Sequence, residues 1–241
     1  MRYIDYSFRY PAENLACDEI LSDLVERGGC DGVLRFWESS IYFVVVGVSQ
    51  VVRQEVYEHH CREDGVRIFR RCSAGGTVLQ GPGCLNFTLV LPRLNAPELQ
   101  TIRGSYCYIL GRLVDSLQRR GVLAQHQGIS DLAIQGMKFS GNAQRRRRHS
   151  ILHHGTLLYS FDTTLISRYL REPTEQPGYR VGRSHEKFVT NIPLGRDVLK
   201  EVVCEAFEVV PCEKGLSRKE MNEVHVLAEE KYLSREWIFR R

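Results

Sequence analysis

The 241-residue sequence predicts an α+β fold, with a mixed, mostly antiparallel sheet, helices packed on it and a short helical C-terminal extension. Three observations carry that expectation. Runs rich in β-branched and aromatic residues follow one another instead of alternating regularly with helices, as they would in a repeated βαβ chain. A few amphipathic segments interrupt them. Two glycine-rich segments sit among the strands: residues 70–86, RRCSAGGTVLQGPGCLN, and residues 131–155, DLAIQGMKFSGNAQRRRRHSILHHG.

Residues 14–26 place apolar side chains at 15, 16, 20, 21, 24 and 25 and stop at Gly28-Gly29, which predicts a helix. Residues 32–37 and 42–48 read as strands separated by a polar turn. A short helix is expected over 55–63. A strand over 66–71 enters the first glycine segment, and another over 84–91 leaves it. Over 102–120, Tyr106, Leu110, Leu113 and Leu117 step by four, three and four, and Gly121 closes the helix. Residues 122–161 are strand-rich and hold the second glycine segment. Residues 163–170 read as helix. Residues 172–190 carry too much proline, glycine and charge for a regular element and read as a mobile loop over a site. Helices follow over 197–207 and 218–232, and Trp237, Ile238 and Phe239 read as a packed anchor. With no internal repeat and no long linker, one domain over 1–194 with an extension over 195–241 packed on it is expected.

Composition narrows the function classes. A hydrophobic fraction of 43% and a charged fraction of 26% are ordinary for a globular chain. The net charge of +4 suits an anionic ligand or an acidic protein substrate and does not demand nucleic acid. The eight cysteines are spread from Cys17 to Cys212 without a C-x-x-C pair, and MRYIDYSFRYPAEN holds no apolar leader. Reduced thiols in a cytoplasmic protein are therefore expected. Cys204 and Cys212 lack partners at zinc-ligand spacing, and no stretch approaches the length of a membrane span.

Glycine lets backbone N–H groups approach a ligand closely, and a turn of such groups beside arginines seats phosphate or carboxylate. Two such turns, one bearing Lys138, point to a site that activates or transfers a carboxylic acid. These segments resemble the lipoate–protein ligase family, which shares its fold with biotin protein ligases and octanoyltransferases. VLRFWESSIYFVVVGVSQ, with Gly47 and Gln50, is similar to the family's early strand pair. RRCSAGGTVLQGPGCLNFTL is similar to its RR-x-SGGG-x-V…G-x-LN turn, ISDLAIQGMKFSGNAQR to its NDL…G-x-K-x-SG-x-AQ-x-R segment, and LHHGTLL to its HGTLL strand. The match runs from about residue 10 to 165, and the tail LAEEKYLSREW is also family-like.

The resemblance implies a two-step reaction. ATP, with Mg²⁺, activates lipoate or a similar medium-chain acid as an acyl-adenylate. The acyl group then passes to a lysine of a lipoyl carrier domain, of the 2-oxoacid dehydrogenase E2 or glycine-cleavage H type. Lys138 would be the catalytic residue, stabilising acyl and α-phosphate oxygens together; its plainer reading is a solvated strand lysine. Arg70, Arg71, Ser73, Gly75, Gly76, Thr77 and Val78 would cradle the nucleotide, joined by Asn86, Ser140, Gly141 and Ala143. The plainer reading there is a β-turn with exposed arginines. Gly47, His154, Gly155 and Thr156 would line the acyl pocket, with no acid–base role for His154. Asp131 would hold Mg²⁺ or cap a turn, with Ser130 standing where the family has Asn. Asn142 would contact ligand or turn backbone. Ala74 replaces the first of three usual glycines, a substitution that costs roughly 1 kcal/mol if that position needs positive φ.

Arg145–Arg148 reads as a solvated hairpin tip, or as a charge patch steering an acidic carrier domain, with Arg145 turned to the site. A cysteine transferase on this fold needs a thiolate, and neither 125–134 nor 161–203 contains a cysteine. Cys72 and Cys84 read as packing residues. An ATP-dependent ligase is thus expected, with an accessory subunit as a candidate partner. Acyl transfer without ATP, or a non-catalytic lipoyl-binding protein, remains as the alternative. The glycine turns match the lipoate pattern better than the biotin one.

Overall fold

The computed structural model describes residues 1–94, 96–212 and 215–240. Within the expected extension, residues 213, 214 and 241 lie outside these. A short strand, β1 (Arg2–Asp5), precedes the first helix, α1 (Pro11–Glu26). That helix begins three residues earlier than expected. Pro11 supplies the φ of a first helical turn, and the Asn14 side chain, instead of capping, ties Phe8 through its N–H and carbonyl. Then come β2 (Val33–Trp37), β3 (Phe43–Val46), two short helices α2 (Val52–Glu55) and α3 (Glu58–Glu63), and β4 (Arg67–Arg70). The single helix expected over 55–63 is thus two pieces. β5 (Val78–Gln80), β6 (Cys84–Pro92) and α4 (Ile102–Arg119) follow.

Four antiparallel strands come next: β7 (Ala124–Gln127), β8 (Asp131–Ile134), β9 (Met137–Arg146) and β10 (Ser150–Leu158). Helix α5 (Thr164–Tyr169) leads into residues 172–190, which contain a 3₁₀ turn (Gly178–Arg180) and the short helix α6 (His185–Phe188). Helix α7 (Arg196–Ala206) follows. Helix α8 (Arg218–Leu227) carries a capping box between Ser217 and Glu220 and runs on as a π-type turn to Tyr232. Helix α9 (Arg235–Ile238) ends the described chain.

The large sheet has strand order β1-β2-β6-β10-β9-β8-β7, antiparallel except for the β1–β2 pair; a smaller sheet has order β4-β3-β5. Alternation on β2 shows how both faces are covered. Leu34 and Phe36 join a core with α4 and α7, whereas Val33 and Trp37 join one with α1 and α8. Arg35 shares the second face and is fully buried, so it must be paired. It donates to Asp18 Oδ1 at 2.6 Å and to Asn14 Oδ1 at 2.7 Å.

The tail is anchored as expected, with one exception. Trp237 Nε1 donates to the Arg70 carbonyl at 2.9 Å and Ile238 is buried, but Phe239 stands exposed.

Candidate functional site

The first glycine turn joins β4 to β5, and the second glycine segment runs along β8 and β9; the fold brings them face to face. Ala74 N donates to the Gln144 carbonyl at 3.4 Å, and a Cβ on Gly75 would lie 3.5 Å from Ala143 Cβ. The left-handed position of the turn is Gly75, at φ +91°; Ala74 does not have positive φ. Alanine in place of the family's first glycine therefore carries no backbone strain. Gly47 backs the turn so closely that a Cβ there would stand 2.0 Å from the Gly75 carbonyl oxygen.

Two connected cavities open between the turns. The smaller, about 130 Å³, runs past Leu15, Asp18, Trp37, Val45, Asn86 and His154. The larger, about 660 Å³, lies under the segment 172–190 and reaches Asp131, Phe139, Arg171, Arg180 and Phe188. Gly76, Thr77, Val78, Ser130, Lys138, Gly141 and Thr156 line both. Lys138 thus stands at the junction.

Strand β9 delivers Lys138 next to a bulge in its pairing with β8, and the Thr190 N–H caps its carbonyl at 2.8 Å. The ammonium lies 2.7 Å from Asp131 Oδ1, with the lysine side chain 27% exposed and the carboxylate 8%. Asp131 Oδ2 accepts from the Tyr179 hydroxyl at 2.9 Å. Burial, and then the charge of Asp131, push the Tyr179 phenol far up, so it stays a neutral donor. Asp131 therefore caps no turn; both of its oxygens serve side chains. Among the described residues it is the carboxylate ion-paired with Lys138, and no three His, Cys, Asp or Glu side chains there are grouped to hold a metal ion.

The two arginines of the first turn divide their labour. Arg71 lines the smaller cavity; its guanidinium bonds Ser73 Oγ and the carbonyls of Ala74 and Gly76. Burial, with no carboxylate partner among the described residues, lowers it to about 10, so an anion entering the cavity would meet an unneutralised charge. Arg70 reaches neither cavity. Its guanidinium is fully buried and donates to the carbonyls of Gly47, Gln50, Trp237 and Ile238.

Ser73 is likewise behind the wall, 1% exposed. Arg71 Nε donates to its Oγ at 3.0 Å, which leaves the hydroxyl proton for His154 Nε2 at 2.6 Å. His154 Nδ1 then faces Asp18 Oδ2 at 3.5 Å. Burial raises the Asp18 carboxyl, but Arg35 and His154 outweigh it and hold it below its usual range. The connectivity is that of a hydrolase triad. However, its serine lines neither cavity, and Asp18 Oδ2 has no hydrogen-bond partner among the described residues. His154 itself lines the smaller cavity.

Gly155 is there because nothing larger fits: a Cβ would lie 2.0 Å from Asn142 Oδ1 and 2.6 Å from Phe87. Asn142 binds the Ser130 carbonyl and Ser140 Oγ, and accepts from His153. Asn86 lines the smaller cavity with Ala143, and Ser140 lines the larger. The arginine run is mostly absorbed by the fold. Arg145 pairs with Glu19, Arg146 caps the carbonyls of Leu99 and Gln100, and Arg147 pairs with Asp23; only Arg148 is exposed. It is neither a solvated tip nor a broad steering patch.

Sequence reasoning passes over Leu15, Asp18, Trp37 and Tyr179. For Asp18 a signal exists, since an acidic residue sits on the apolar stripe of α1 while Arg35 sits in a fully apolar strand. For Tyr179 there is none. All eight cysteines are free thiols, and none lines either cavity. Burial raises the thiols of Cys72 and Cys84. No helix among the described residues is long and apolar enough to cross a membrane.

Comparison with known proteins follows the same lines. The chain is 32% identical over 182 residues to a probable lipoate-protein ligase A of Mycoplasma pneumoniae, covering 76% of this chain and 52% of that protein. It spans about half the length of the ligases it matches in this way. It is 28% identical to octanoyltransferase LipM of Carboxydothermus hydrogenoformans, covering 99% of this chain and 98% of that one. Among solved structures, a bi-partite lipoate protein ligase of Thermoplasma acidophilum has the same fold, with a TM-score of 0.83 at 24% identity, covering 99% of this chain and 95% of that chain. A lipoate-protein ligase A bound with ATP has it too, with a TM-score of 0.83 at 22% identity, covering 99% and 98%. A model of the lipoyl protein ligase A/B catalytic domain matches residues 10–209, and the chain belongs to that family.

Proposed function

We propose that the chain is a lipoate–protein ligase that activates lipoate with ATP and passes the lipoyl group to a lysine of a lipoyl carrier domain. The observation that carries this reading is Lys138 at the junction of two cavities that no cysteine lines. The smaller cavity suits an acyl chain, with Leu15, Trp37, Val45 and Val78 as apolar wall. Three residues of that wall carry buried polar atoms, Trp37 Nε1, Thr77 Oγ1 and Gln80 Oε1, that have no hydrogen-bond partner among the described residues. The larger cavity suits the nucleotide.

In the first step a carboxylate oxygen bonds to the α-phosphorus and pyrophosphate leaves. In the second the carrier amine bonds to the acyl carbon, loses a proton, and AMP leaves. An ammonium at the junction faces the oxygens that gain charge in both steps. Arg71 and Gly75, which line the smaller cavity, and Gly76 at the junction are the chain's means of holding the acyl carboxylate and the α-phosphate where the two cavities meet. Asp131 would be the carboxylate beside Lys138 offered to a Mg²⁺ ion, and both its oxygens are already committed, so no step is assigned to the metal. Every cavity residue lies between Leu15 and Val189, in keeping with a catalytic domain over 1–194 and a bracing extension over 195–241.

A second reading has its own support: the octanoyltransferase relatives match over nearly their whole length, whereas the two Mycoplasma ligases match over about half of theirs. Lipoate-dependent exchange of labelled pyrophosphate into ATP decides between them. Exchange that vanishes in Lys138→Ala establishes the ligase. No exchange, with transfer from supplied lipoyl-AMP to a carrier domain retained, means that activation needs an accessory subunit. Neither activity, with transfer from an acylated carrier, establishes the transferase.

A further inference from the structure

Residues 172–190 roof the larger cavity and are pinned to the strands that carry Lys138. Arg183 Nη2 donates to the Gly136 carbonyl at 2.9 Å and to the Tyr179 carbonyl at 2.8 Å. Val189 forms a bridge with Lys138, and Thr190 caps its carbonyl. Tyr179 packs on Phe188 with ring centroids 5.1 Å apart, and Arg180 and Arg183 lie over the same Phe188 ring. On the opposite side Gly128, at φ +58°, admits the segment so closely that a Cβ there would lie 3.3 Å from Pro177 and 3.8 Å from the Tyr179 ring. The outcome is one short polar line: Tyr179 hydroxyl to Asp131 Oδ2, Asp131 Oδ1 to Lys138.

We infer that Tyr179 is a positioning residue for Lys138, acting through Asp131. A carboxylate in a buried wall rotates unless both oxygens are held. Tyr179 holds one, so the other presents a fixed acceptor that keeps the lysine ammonium over Gly141 at the cavity junction. Seating of the roof and placement of Lys138 are then one event, because the hydroxyl that fixes Asp131 arrives on the roof. The proposal rests on Lys138 working at that junction, as in the reading above, but its test does not depend on the identity of the substrate.

The test is trace labelling of lysines with acetic anhydride on the full chain at pH 8, read by peptide mass spectrometry. The variants are wild type, Tyr179→Phe, Asp131→Asn and the double variant. Tyr179→Phe keeps the ring against Phe188 and removes only the hydroxyl. Labelling of Lys138 rises at least fivefold in Tyr179→Phe, while Lys200 and Lys219 keep their wild-type rates. In the Asp131→Asn background the same change adds less than twofold, because the path runs through Asp131. An unchanged Lys138 rate overturns the proposal. So does a rise shared by Lys200 and Lys219, which would mean general loosening. An equal effect in both backgrounds overturns it as well. If these labelling changes occur in a protein that shows neither lipoate-dependent exchange nor transfer from lipoyl-AMP, the positioning role stands and the ligase reading falls.

Discussion

Lys138 lies directly over Gly141: a Cβ at position 141 would come 3.0 Å from both Cε and Nζ of the lysine. The glycine three residues along the same strand is thus a bed for the side chain rather than a hinge. Gly141→Ala leaves the backbone unstrained, since Gly141 is not at positive φ, but it pushes the ammonium at the cavity junction by a few tenths of an ångström. A misplacement of this kind costs about tenfold or more in rate. Single-turnover acylation of a carrier domain falls by that factor, while the urea midpoint moves little.

The first glycine turn makes two opposite expectations at adjacent positions. Gly75→Ala places a side chain at φ +91° and 2.9 Å from Arg71 Nη2, and destabilises by about 1–2 kcal/mol. Ala74→Gly restores the family pattern but relieves no strain, and unfolded-state entropy makes it neutral or about 0.5 kcal/mol destabilising. Denaturant midpoints of the two variants check the pair. A gain in stability from Ala74→Gly would contradict the turn geometry.

His153 makes stability depend on pH. It is fully buried between Gln144 and Asn142 and edge-on to Tyr106, and burial, then His154, lower it from 6.5 to about 3. The unfolded chain therefore binds a proton that the folded chain refuses. Stability from this group is complete above pH 6.5, drains away as pH falls, and is exhausted near pH 3. At 1.36 kcal/mol per pH unit the loss by pH 4 is about 3 kcal/mol. Chemical denaturation from pH 7 to pH 4 shows a shallower slope in His153→Gln than in wild type.

The C-terminal tail braces the first turn from behind. Trp237→Phe removes the Nε1 donor to the Arg70 carbonyl and costs about 1 kcal/mol. Arg70→Met leaves the carbonyls of Gly47 and Gln50 without their shared donor and costs about 3 kcal/mol. Urea titration measures both. Because Arg70 reaches neither cavity, the affinity for lipoate of Arg70→Met that is still folded stays within about threefold of wild type, whereas Arg71→Met loses anion binding.

The legible parts of the fold are those with a local signature. The helix over 102–119 shows itself in the stepping of Tyr106, Leu110, Leu113 and Leu117, and β6 in the alternation of Leu85, Phe87, Leu89 and Leu91. Strand β1 does not, since four residues are too few to display a period, and its partner β2 is about thirty residues away. The candidate site divides in the same way. Gly75, Gly76, Lys138, Gly141 and Gly155 are readable because glycine beside a charged residue has a local meaning. Arg70 and Ser73 stand in the same motif, yet the structure turns them inward to carbonyls and to His154. Nothing local distinguishes an arginine that faces a cavity from its neighbour that faces the tail.

From the sequence alone come the α+β class, the two glycine segments, the lysine in the second of them and the family they resemble. All of these depend on residue type at short spacing. Only the tertiary structure decided that Asp131 divides its oxygens between Lys138 and Tyr179, 48 residues away from it. It alone showed that Arg145, Arg146 and Arg147 are spent inside the fold, and that the tail closes on Arg70. Partner choice by a charged or polar side chain is settled by distance and burial in space. A buried charge takes whichever counter-group the packed elements bring within about 3 Å, and the order of residues along the chain does not record that distance.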